Sequence, residues 1–158
     1  MFWHTGMLLG TMLYTNALVD LIEEAYKELW ENAEKLEGKL DYKAAEKNRT
    51  PMEMLVECAT VPGFLAPALQ NQSLPPMDGD HPDAGLKTIA DCKAHFESVK
   101  GALYDAIKNF PQEKLGDSIV TPWGTFTWMS FMAYCYWNPM YHVGQLGYIQ
   151  MIHGDTSY

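Results

Sequence analysis

The residues with most to offer chemistry lie toward the C-terminal end, in the string YCYWNPMYHVGQLGYIQMIHGD, where Asn138, His142, Gln145 and Ile149 recur at steps of three and four. Side chains at that spacing share one face of a helix. An imidazole on such a face can bind a metal or carry a proton, and a carboxamide beside it can orient it. Gly144 and Gly147 interrupt the same string. Each costs about 1 kcal/mol inside a helix, so the pattern predicts either a close helix approach or a site that needs room. The plainer alternative is that Asn138 and His142 are satisfied polar groups of a core, as buried polar groups usually are.

Other candidate donors are weaker. Asp91, Cys92 and His95 lie within one turn or so of each other, but no spaced partner motif accompanies them. Cys58 and Cys135 stand among apolar neighbours and read as small core residues rather than nucleophiles. His4, His81 and His153 fall in terminal or loop contexts and read as solvated.

The elements that must position these groups read as helices. From about Thr15 to Leu36, Leu18, Leu21, Ile22, Ala25, Leu29, Ala33 and Leu36 repeat at helical spacing, with Glu23, Glu24, Lys27, Glu28 and Glu31 opposite and Gly38 placed as a left-handed cap. After a polar stretch from Asp41 to Arg49, Thr50, Pro51 and Glu53 form a capping-box start, so a second helix should begin at Pro51 and bend or end early at Pro62 or Pro67. The segment QNQSLPPMDGDHPDAG reads as a loop. A third helix is expected from about Ala84 to Phe110, then an extended or turn-rich link around Pro122 and Gly124, then a fourth helix from Thr125 or Thr127 to about His153. No strand pattern is convincing, and the chain reads as a single all-α domain over 1–158: a four-helix bundle with one long connection.

Bulk properties narrow the partners. The 158 residues carry a formal charge of −9, a field that repels nucleic-acid phosphates and anionic lipid. Three cysteines without a Cys-x-x-Cys pair, and no Lys or Arg before Lys27, favour a reduced, cytoplasmic setting over secretion. From Ser118 to Gly154 there is no charged residue, yet Pro, Gly, Asn, His and Gln interrupt the run, which suits a buried bundle helix better than a membrane span. Trp123, Phe126, Trp128, Phe131, Tyr134, Tyr136, Trp137, Tyr141 and Tyr148 are too many rings for one helix to turn inward, so some should face a partner, and a homodimer is expected.

Two strings, RTPMEML and YHVGQLGYIQMIHGD, resemble the DinB/YfiT-like superfamily. The resemblance implies a DinB-like four-helix bundle with a divalent metal held inside it by three histidines, one from the second helix and two from a His-x-x-x-His pair on the fourth. Carried over residue by residue, those positions are Glu57, Asn138 and His142, so one of the three histidines is retained. Imidazole and carboxylate suit zinc, nickel or manganese, whereas a carboxamide oxygen is a weak ligand, and the site is expected to be degenerate. The resemblance further implies a homodimer and, as one branch of activity, a metal-dependent hydrolase or a transferase using a small thiol cofactor such as bacillithiol or mycothiol. In that version His142 is the firm ligand, Glu57 a ligand or base, and Asn138 a weak ligand or a donor to a small-molecule substrate. The competing expectation is a metal-free, non-catalytic binding or interaction protein, in which Glu57 and His142 pair directly and the imidazole pKa rises.

Overall fold

In the computed structural model, residues 3–75 and 85–157 are described, with side chains from Tyr14 onward. His81 and most of the expected loop at 76–84 lie outside the described residues, as does the side chain of His4. The elements are α1 (Trp3–Glu34), α2 (Pro51–Asn71), α3 (Ile89–Lys108), a 3-10 turn (Gln112–Lys114), β1 (Ser118–Thr121), β2 (Gly124–Thr127) and α4 (Trp128–Ile152). The class is all-α with one small hairpin.

The helices α2, α3 and α4 each start where their capping chemistry is. The Thr50 hydroxyl accepts from the amide of Glu53, and the Glu53 carboxylate accepts from the amide of Thr50, closing a capping box that fixes the first turn of α2. Thr88 with Asp91 and Thr127 with Ser130 repeat the device for α3 and α4. The third helix therefore begins at Ile89 rather than near Ala84, and Asp91 is spent on its cap. Cys92 is buried, and the Asp91, Cys92 and His95 grouping does not converge into a donor cluster.

Neither Pro62 nor Pro67 ends α2, which continues to Asn71. A proline lacks the N–H that would satisfy the carbonyl four residues back, so Pro62 leaves the Cys58 carbonyl without its helical donor. The Tyr26 hydroxyl supplies one from α1, donating to Cys58 O at 2.6 Å in full burial. That bond reaches through the core and fixes the turn of α2 that carries Glu57.

α1 packs on α3 and α4, and α2 packs on the same two, so the four helices form a ring in which α1 and α2, and likewise α3 and α4, stand on diagonals. Helices consecutive in sequence but diagonal in space need long joins. The connections at 35–50 and 109–127, which join diagonal helices, are accordingly long, and the one at 72–88 between the adjacent α2 and α3 is long as well, where a single long one is expected from the sequence. The core between them is built from Ile22, Leu29, Leu55, Leu65, Leu103, Ile107, Met132 and Leu146, with the Tyr26 and Phe96 rings stacked at 3.8 Å.

The third connection holds the hairpin that the sequence pattern did not announce. Its strands pair antiparallel from Ser118 with Thr127 to Thr121 with Gly124, with Ile119 and Thr121 facing in and Val120 out. Gly124 takes φ +137° at the turn, a conformation costly for any side chain. The hairpin delivers Thr127 as the N-cap of α4, and Trp128 N and Met129 N donate to Asp117 O and Leu115 O. Further along, Gln150 Nε2 donates to both the carbonyl and the side-chain oxygen of Asn32, pinning α4 to α1.

The charge-free α4 is not the most membrane-like element. Among the described residues α2 alone is long and apolar enough to cross a bilayer, and 61% of its apolar window is buried inside the protein.

Candidate functional site

Glu57, Asn138 and His142 meet. α2 and α4 are neighbours in the ring, and the caps at Thr50 and Thr127 set their registers so that Glu57 faces the stripe of α4. Asn138 and His142 are almost wholly buried, at 2% and 3% exposure. Asn138 Nδ2 donates to Glu57 Oε1 at 2.9 Å and to the Tyr134 hydroxyl at 3.2 Å, while its Oδ1 accepts weakly from the Cys58 thiol at 3.4 Å. The network fixes the amide orientation, because a carboxylate can only accept and an oxygen turned toward Glu57 would be repelled.

His142 is oriented from its own helix. Its Nδ1 lies 2.6 Å from Gln145 Oε1, one turn on. Its Nε2 is buried with no hydrogen-bond partner, 3.6 Å from Glu57 Oε1, beyond hydrogen-bonding reach. The proton therefore belongs on Nδ1, donated to Gln145, and Nε2 presents a bare lone pair toward the carboxylate. Burial lowers the His142 pKa; the Gln145 bond opposes that, and nearby Arg49 lowers it further. The expected Glu57–His142 ion pair with a raised imidazole pKa is thus not what forms, since desolvation outweighs a carboxylate that does not reach the ring.

What Glu57 does pair with is Arg49, whose guanidinium lies on Glu57 Oε2 and is about half exposed while the carboxylate is 13% exposed. Arg49 is the only arginine in the chain and stands immediately before the α2 cap. Sequence reasoning passed over it as the last residue of a polar connection. The signal available was that placement, a lone arginine two residues ahead of a Pro51-led helix.

Outside this cluster lies a recess of about 390 Å³, lined among others by Asn48, Arg49, Met54, Tyr141, Gln145 and Tyr148. Gly144 also lines it, and a Cβ there would meet nothing within 4 Å, as would one at Gly147. Of the two expectations for these glycines, close helix approach is not seen at either; Gly144 borders the recess and Gly147 does not.

The donor set for a metal is short. Glu57 and His142 are strong donors, Asn138 turns its nitrogen rather than its oxygen inward, and among the described residues no three His, Cys, Asp or Glu side chains converge. The thiols offer no nucleophile. Cys58 and Cys135 are fully buried with pKa values pushed far up by desolvation, and Cys92 is raised to about 11 by burial and then by Asp91.

The rings divide between core and surface. Trp128 and Phe131 are buried, whereas Trp123, Trp137, Tyr141 and Tyr148 are exposed, with Trp137 and Tyr141 stacked at 5.2 Å. His153 lies at the end of α4, edge-on to Tyr42.

Comparison with protein-family models, with curated proteins and with solved structures returned no match.

Proposed function

We propose that this is a metal-independent, non-catalytic binding protein that takes a small organic molecule at the recess beside Glu57, Asn138 and His142. The observation that carries this is the Arg49–Glu57 pair. A buried carboxylate needs a compensating cation, and here the chain supplies its own. With Glu57 neutralised by Arg49 and His142 held neutral by burial, the centre has no net charge to attract a divalent ion. A resident metal fits this set poorly, because two donors and a carboxamide turned the wrong way cannot complete a tetrahedral site from protein groups. The burial of all three thiols and the raised pKa values of Cys58 and Cys135 weigh against covalent chemistry through a cysteine of the chain.

Elemental analysis of protein purified without an affinity tag from metal-replete medium is the test. We expect well under one tenth of an equivalent of zinc, nickel or manganese. Near-stoichiometric metal would overturn the proposal and restore the metal-dependent enzyme.

An exposed uncharged face of α4 also favours self-association. Trp137, Tyr141, Gly144, Tyr148 and Met151 follow each other at steps of four and three and lie almost symmetrically about Gly144, so an antiparallel second copy would set Trp137 against Met151 and Tyr141 against Tyr148; because Tyr141, Gly144 and Tyr148 also line the recess, such a dimer would cover it and is the competing use of this face. Light scattering at micromolar concentration should give twice the 17.9 kDa chain mass. A monomer would remove the homodimer.

A further inference from the structure

We infer that the ligand of this recess is a small organic carboxylate on a flat apolar body, gripped by the free edge of the Arg49 guanidinium. The inference rests on the binding reading above and adds the ligand's charge and shape.

Arg49 forms an ion pair through Nη1 with Glu57 Oε2, and its half-exposed side chain lines the recess. A guanidinium offers five donors in a planar fork that matches a carboxylate edge to edge, so most of that fork remains available after Glu57 is served. Asn48 and Gln145 add carboxamides to the same lining. The rest is apolar or aromatic: Met54 and Ile149 with Tyr141 and Tyr148. At about 390 Å³ the recess is at the small end of ligand pockets.

The wider charge distribution agrees. Between positions 39 and 49, Lys39, Lys43, Lys47 and Arg49 face Asp41 and Glu46 in number, a net +2, which leaves −11 for the rest of a chain whose total is −9. The wall formed by Ala44, Asn48 and Arg49 thus belongs to a locally positive segment of an acidic protein. A cationic ligand would meet Arg49 at the wall, where none of the lining residues is acidic, while Glu57 has an oxygen already held by that arginine and Glu53 is spent on the cap of α2.

Glu57 and the ligand then compete for one guanidinium, which gives the test its sign. Binding of benzoate, benzylamine and benzyl alcohol to the full chain is measured by ligand-observed NMR at up to about 10 mM, where so small a ligand can saturate a matched site. We expect benzoate to bind at least about tenfold tighter than the other two, since a charge-assisted fork is worth that much. Glu57→Gln, which frees the fork, should tighten benzoate several-fold. The double variant Arg49→Met/Glu57→Gln, which strands no charge, should weaken benzoate about tenfold and abolish its preference over benzyl alcohol.

Benzylamine binding as tightly as benzoate, all three probes binding equally, or Glu57→Gln weakening benzoate would each overturn the carboxylate assignment while leaving a binding recess in place. No binding by any probe would overturn both the assignment and the recess as a ligand site. Stoichiometric metal in the elemental analysis strikes only the metal-free reading, so the failures are separable.

Discussion

Asn138→Asp replaces an amide NH2 with an oxygen of the same shape at the point where Nδ2 now donates to Glu57 Oε1 at 2.9 Å. Two carboxylates at that spacing repel by about 6 kcal/mol at an effective dielectric near 20. Taking up a proton is the cheaper escape. Holding one carboxyl neutral at pH 7, about three units above an ordinary value near 4, costs about 4 kcal/mol at 1.36 kcal/mol per unit. The loss relative to the native chain should therefore be about 4 kcal/mol at pH 7, a large share of the 5–15 kcal/mol typical of a domain. It should shrink by about 1.4 kcal/mol per unit of acidification, because the shared proton then comes free from solvent. Urea unfolding of both proteins at about pH 7.5, 6 and 4.5 measures this. A variant as stable as the native chain at neutral pH, and stabilised further by one equivalent of zinc or manganese, would refute the reasoning, because a cation would then be sitting among these oxygens.

Three further outcomes follow from other parts of the fold. His142 has a pKa below its unfolded value, so the stability it confers is complete above about pH 6.5 and is lost as pH falls through the folded value, with a slope of at most about 1.4 kcal/mol per unit; urea unfolding should show this for the native chain and lose it for His142→Gln. Tyr26→Phe removes the buried hydroxyl that donates to the Pro62-freed Cys58 carbonyl, and chemical denaturation should register a loss of about 1 to 3 kcal/mol; no loss would mean that the carbonyl finds another donor. Gly101→Ala, exposed in α3 with nothing within 4 Å of the new Cβ, should raise stability by up to about 1 kcal/mol in the same assay, and a loss there would contradict the helix assignment.

The parts of the fold carried by local chemistry were readable before any coordinates. The Thr50–Pro51–Glu53 start put α2 at Pro51, Thr127 was one of two caps foreseen for α4, and the three- and four-residue spacing placed Asn138 and His142 on one stripe. What escaped was, apart from one local cap, what depends on partners elsewhere in the chain. The Ser118–Thr121 strand is four residues long with Ile and Val adjacent, so no alternation stands out, and it exists because Gly124–Thr127 returns beside it. Thr88 with Asp91 is a capping box with the shorter acid, and the expected start near Ala84 missed it. The prolines of α2 looked like breakers because nothing local reveals that Tyr26 would replace one missing donor. In the site, Glu57 came from the resemblance and does face His142, but Arg49 is fixed by the geometry of a loop meeting a helix, and its ion pair changes what the centre can do. The sign of the His142 shift likewise needed burial and a 3.6 Å gap, neither of which has a sequence signature.

The metal-independent proposal turns on His142 being a neutral imidazole with its proton on Nδ1 and an Nε2 that does not take up zinc. Long-range nitrogen–proton correlation of the histidine rings at about pH 7, recorded before and after one equivalent of zinc, tests it most directly. We expect one ring with a protonated Nδ1 and an unprotonated Nε2, its shifts unchanged by zinc. An imidazolium ring, or an Nε2 resonance that moves to a metal-bound position on adding zinc, would contradict it.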